Sequence, residues 1–197
     1  MKKIVTIIIA LVMCAMPMSA LANQLTEVGS SSMTEVKAQV VANVGEVSYV
    51  ITIPDEINFG ELSQPANENA DSYKDVEYEI EASTISDLPE GKQISVYVKD
   101  ENAIKGGDES FHITNKIDSE VSFEYSIFAD ENCTQDVGEG NMTAAGFFLT
   151  GFTTAGQSMK GKLRFNQTQL LSKSIVDIIG EYSGHIVWFS FVEDVME

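Results

Sequence analysis

Two histidines, thirty acids and one cysteine beyond the first 22 residues are the groups in this chain that could do chemistry. A nucleophilic hydrolase needs a serine or cysteine activated by a histidine that a carboxylate orients in turn. His185 opens the apolar run HIVWFSF, and no G-x-S-x-G elbow or comparable frame accompanies it. His112 alternates with Phe111 and Ile113, the pattern of an edge or surface residue on a strand. Cys133 stands between Asn132 and Thr134 with neither a CxxC partner nor a histidine near it in sequence, so it reads as a structural thiol. Zinc wants Cys or His at ligand spacing, and the sequence offers none. The expectation is a protein with no catalytic residue, no cofactor and no assigned metal ligand.

Carboxylates raise the question of calcium. In DENCTQDVGEGN (130–141), Asp130, Asn132, Thr134 and Asp136 fall at every second position, as oxygen ligands would. Yet Gln135 occupies the place of the sharp-turn glycine, and Asn141 that of the bidentate acid. The row Asp75, Glu77, Glu79 and Glu81 is the second acidic feature, read first as a solvated face that discourages edge-to-edge pairing. Paired acids could also hydrolyse a glycoside, but so many acids pair by chance that composition alone supports no such assignment. Tyr97, Phe128, Phe147, Phe148, Phe152 and Trp188 would suit either a sugar-stacking platform or the core between two sheets.

The elements that must position these groups are strands. In EVSYVITIP, Val47, Tyr49, Ile51 and Ile53 share a face, and Pro54 stops the ladder. In DSYKDVEYEIEAS, apolar Val76, Tyr78, Ile80 and Ala82 alternate with the acids. QISVYVK, SFHIT, VSFEYSIF, AGFFLTGF, MKGKLRFNQ and HIVWFSF continue the pattern, separated by LPEG, GGDE, the polar run 130–141 and TTAGQ. The spacing predicts about eight to ten strands, with one or two helical turns in 168–179 where Leu170, Leu171, Ile175 and Ile178 fall at helical intervals. The fold class expected is all-β, an antiparallel immunoglobulin-like sandwich over 44–197. HIVWFSF, with large side chains on both faces, reads as a central strand covered on its outer side by a loop, a domain or another subunit.

MKKIVTIIIALVMCAMPMSALAN has two lysines, an apolar run and an A-x-A site, the pattern of a bacterial signal peptide cleaved after Ala22. Residues 23–43, polar and Ser-rich before turning apolar, read as a flexible leader or a donated strand. With one cysteine left, no internal disulfide can form, so the fold must rest on its core. The net charge of −18 becomes −20 once Lys2 and Lys3 are lost. That charge excludes nucleic acid and anionic lipid surfaces as favoured partners, and no membrane insertion is expected after cleavage. The sequons at Asn132, Asn141 and Asn166 read as unmodified behind a bacterial signal.

Gly180-x-Tyr182-x-Gly184 ahead of the last strand suits a tyrosine corner, in which the hydroxyl bonds to backbone upstream. Together with the strand-Pro-Ile-x-Phe-Gly element ITIPDEINFGEL (51–62), it resembles the secreted surface β-sandwiches of Gram-positive bacteria of WxL or pilin and adhesin type. The family's Trp-x-Leu pair is replaced here by Trp188-Phe189-Ser190. The resemblance implies an exported, non-enzymatic module at the cell surface, acting through protein partners, self-assembly or surface glycans. A carbohydrate- or calcium-binding module is the alternative, and a secreted hydrolase the distant third.

Overall fold

In the computed structural model, residues 23–25, 31–33, 47–68 and 71–196 are described, the first two segments by their backbone alone. The leading segment 1–22, expected to be a signal, lies outside them. The strands are β1 (Asn23–Leu25), β2 (Ser31–Met33), β3 (Ser48–Ile53), β4 (Tyr73–Ser86), β5 (Lys92–Asp100), β6 (Phe111–Asn115), β7 (Ser122–Phe128), β8 (Phe147–Phe152), β9 (Ser158–Asn166), β10 (Tyr182–Ser183) and β11 (Ile186–Asp194). They form two antiparallel sheets, ordered β1-β3-β4-β9-β7-β6-β10 and β2-β11-β5-β8. The all-β sandwich read from the alternation is the observed fold.

The core lies between the sheets because each contributes its apolar alternate positions. Tyr49, Ile51 and Ile53 come from β3, Tyr78, Ile80 and Ala82 from β4, Leu163 and Phe165 from β9, and Ile94, Val96 and Val98 from β5. Trp188 of β11 is fully buried among them, its ring 6.3 Å from that of Tyr78 in the opposite sheet. A second tie crosses the gap where the Tyr49 hydroxyl lies 3.0 Å from Ser190 Oγ. No helix among the described residues is long and apolar enough to cross a membrane.

Helices are short. Glu101–Ile104 (α1) follows β5, and Asp100 caps it by accepting from the Asn102 N–H. The helical segment expected in 168–179 is split into a 3-10 turn, Gln167–Ser172, and α2, Ile175–Ile178. Asn166 starts the first piece through its side-chain oxygen and Ser174 precedes the second, so extended backbone at 173–174 interrupts the run. The tyrosine corner is present: the Tyr182 hydroxyl donates to the Ile178 carbonyl at 2.7 Å. Tyr182→Phe should lower stability by about 1 kcal/mol, the net value of one such bond. Urea unfolding followed by the emission of the single tryptophan measures it.

Candidate interaction site

β3 and β11 face each other across the sandwich, as the Tyr49–Ser190 contact requires, so the β1 and β2 margins of the two sheets lie on the same side. On one margin Asn23–Leu25 pairs with Ile51–Ile53, and on the other Ser31–Met33 pairs with Val187–Phe189. β11 is hydrogen-bonded to β5 along all nine of its residues. On its other side, among the described residues, pairing extends over three. β11 is thus an interior strand of the four-stranded sheet, as its apolar faces suggest, with β2 at the margin beyond it. Ile186, Trp188 and Ser190 point into the core, while Val187 is buried and Phe189 and Phe191 half-buried on the outer face. Outward cover comes from its own sheet, where the Tyr97 ring sits edge-on to Phe191 and Phe148 at 5.9 and 5.6 Å. The Tyr97 hydroxyl donates to Glu193 at 2.7 Å. Loss of solvent first and Glu193 second push its pKa up to about 12.

This aromatic trio bears on the sugar-platform reading. Phe128, Phe147, Phe152 and Trp188 are buried. Tyr97 is buried as well and inclined at 73° to Phe148, the one exposed ring of the six, where stacking on a sugar needs coplanar open faces. β5 is buried on both faces for the same reason, with Gln93, Ser95 and Tyr97 covered outside and Ile94, Val96 and Val98 inside.

The acidic row is not merely solvated. β4 pairs with β9 so that Asp75, Glu77 and Glu79 stand opposite Arg164, Lys162 and Lys160. The resulting ion pairs measure 2.7, 3.8 and 3.8 Å respectively. Arg164 grips Asp75 with two nitrogens, Nε to Oδ1 at 2.8 Å and Nη2 to Oδ2 at 2.7 Å, and stacks over Tyr73. Its hydrogen bonds hold the Asp75 carboxyl below the usual carboxylate range, against the opposing effect of burial. A carboxyl depressed in the fold adds stability above its unfolded pKa of about 3.9, and that stability is lost as pH falls through the folded value. Arg164→Gln should therefore remove up to about 1 kcal/mol at neutral pH and leave a shallower acid-unfolding limb below about pH 4. Denaturant midpoints at pH 7 and pH 3 check this.

The 130–141 loop is organised by backbone capping. Asp130 accepts from the N–H groups of Asn132, Thr134 and Gln135 at 2.7–2.9 Å, and Asp136 from Gly138 at 2.9 Å. Both acids of the calcium pattern thus hold the turn itself. Burial pushes the half-exposed Cys133 thiol up, away from a reactive thiolate. His185 directs Nδ1 at Glu101 Oε2, 2.7 Å away, and Glu101 also pairs with Lys105, tying the start of β11 to α1. His112 is on β6 directly opposite Glu124 of β7, a juxtaposition that their separation in sequence conceals.

At one end of the sandwich a cleft of about 790 Å³ opens between the 55–62 segment and residues 175–185. Val176 and Ile179 beside it are 79% and 73% exposed, and Ile117 of the adjoining turn is 91% exposed. Lys116 N–H donates to the Glu181 carbonyl at 2.9 Å, which brings that turn against the α2–β10 segment. No protein-family model matches the chain, and no curated protein matches it.

Proposed function

We propose that this protein is an exported, non-enzymatic module of the cell surface that assembles with copies of itself by strand pairing. The observation that carries the reading is β11: nine residues rich in large apolar side chains, bonded along their full length to β5 and on the other side, among the described residues, by the three-residue stretch 31–33. A long apolar strand near a margin is a template for an added strand, which gains main-chain hydrogen bonds and side-chain pockets together. The leader of a second copy is the matching occupant, since its 31–33 segment already uses that register within the chain. The charge of about −20 on each mature copy opposes association, so assembly strengthens with added salt. The resemblance to surface sandwiches and the signal-like opening support the location.

Proline substitution in β2 tests the pairing. Alternate residues of an antiparallel strand donate to the neighbour, so one of Ser32→Pro and Met33→Pro must delete a ladder bond. In the 23–197 chain, at least one of the two should reduce the oligomer fraction seen by analytical ultracentrifugation. Unchanged oligomers in both variants would sink the proposal.

A glycan-binding module is the second reading, favoured by the partly exposed ring of Phe148 alone. It predicts loss of binding to wall or host polysaccharide on Phe148→Ala, with no change in oligomeric state.

A further inference from the structure

We propose that Asp108, His112 and Glu124 bind one divalent transition-metal ion, with zinc the best match. One ligand atom from each lies within 4.8 Å of the other two. The fold assembles them from three places: Asp108 in the turn after the glycine pair, His112 on β6, and Glu124 opposite it on β7.

The orientation of the imidazole carries the inference. His112 Nδ1 lies 2.8 Å from the Ser110 carbonyl, which only accepts, so Nδ1 must hold the proton. Nε2 is left facing Glu124 Oε1 at 3.6 Å. A cation seated between Nε2 and that carboxylate oxygen would take both as ligands. A metal-bound histidine whose other nitrogen donates to a backbone carbonyl is the usual arrangement that sets tautomer and ring orientation. The backbone that carries the ring is anchored too, because the His112 N–H donates to buried Asp100 at 3.1 Å.

Distances fit zinc. Ligands about 2.1 Å from a tetrahedral ion stand about 3.4 Å apart, close to the Nε2–Oε1 gap. Asp108 accepts from the Ser110 N–H through Oδ1 at 2.9 Å, which holds its carboxylate beside His112. Asp108 and Glu124 are exposed and can close the remaining distance by side-chain rotation. One nitrogen and two carboxylates suit zinc better than calcium, which takes six to eight oxygens. Three protein ligands leave a fourth position open to water or to a partner's side chain. Beside the triad lies a cavity of about 850 Å³, lined also by Asp136 and Glu139, which adds negative potential. This inference is independent of whether the chain assembles.

Zinc titration by calorimetry into the 23–197 chain, with excess calcium present, tests it. The expected result is one zinc per chain, weakened at least about tenfold in both Asp108→Asn and Glu124→Gln, and weakened as pH falls because a proton on Nε2 competes. Imidazole nitrogen resonances should move for His112 and stay for His185. Both substituted acids are exposed, so the variants should fold, and unchanged emission from Trp188 verifies that they do. No binding, displacement by calcium, or affinity unchanged in both variants would overturn the site.

Discussion

Trp188→Ala is expected to destabilise the protein by about 3–5 kcal/mol, a large part of the 5–15 kcal/mol that holds an ordinary domain together. The ring is fully buried, reaches across to Tyr78 in the opposite sheet, and sits in the strand that joins β5 to the leader. Removing it leaves a cavity lined by both sheets, which cannot collapse without bending their ladders. Its Nε1 is the one buried side-chain nitrogen or oxygen among the described residues without a hydrogen-bond partner. Trp188→Phe should therefore cost much less than the alanine variant, because phenylalanine keeps most of the volume and removes the unsatisfied donor. Urea unfolding followed by far-ultraviolet circular dichroism separates the two. Equal losses for Ala and Phe would mean that the indole nitrogen has a partner after all, or that the cavity does not dominate.

Gly161→Val is expected to cost about 2–4 kcal/mol by a different route, overpacking together with a lost hydrogen bond. A β-carbon there would stand 2.2 Å from the Phe128 carbonyl oxygen and 2.6 Å from the Tyr78 hydroxyl. Those two atoms are hydrogen-bonded to each other at 2.9 Å. Burial raises the Tyr78 hydroxyl far above its ordinary range, so it stays a neutral donor at any working pH. The side chain would have to part β7 from β9 or turn Tyr78 out of the core. Thermal unfolding of the variant measures the loss, and a change below about 0.5 kcal/mol would contradict the packing described.

Much of this architecture was legible because a strand with one dry face writes itself as alternation. Tyr78, Ile80 and Ala82 in β4, and Phe123, Tyr125 and Ile127 in β7, are the inward positions on both readings. Tyr182 was legible too, since its partner is four residues away. What escaped depends on which strands become neighbours. The match of Lys160, Lys162 and Arg164 to the acidic row was present as a second alternating series, but nothing local says that β9 lies beside β4. His112 and Glu124 meet only through the β6–β7 register, and Asp108 joins them through the turn before β6. The alternation in QISVYVK marks only one face of β5 as dry, yet Gln93 and Ser95 on the other face are buried too. They are buried there by bonding to each other at 3.0 Å. β11 was legible as an interior strand from its two apolar faces, but not the source of its outer cover, which is aromatic neighbours within its own sheet.

Assembly through strand pairing by residues 23–43 is most directly tested by light scattering on the 23–197 chain and on a 44–197 truncation, each at two salt concentrations, with Trp188 emission confirming that both are folded. Strand pairing predicts oligomers of the longer chain that grow with salt, and monomers of the truncation. Compact monomers of both at either salt, or equal oligomers without the leader, would contradict it.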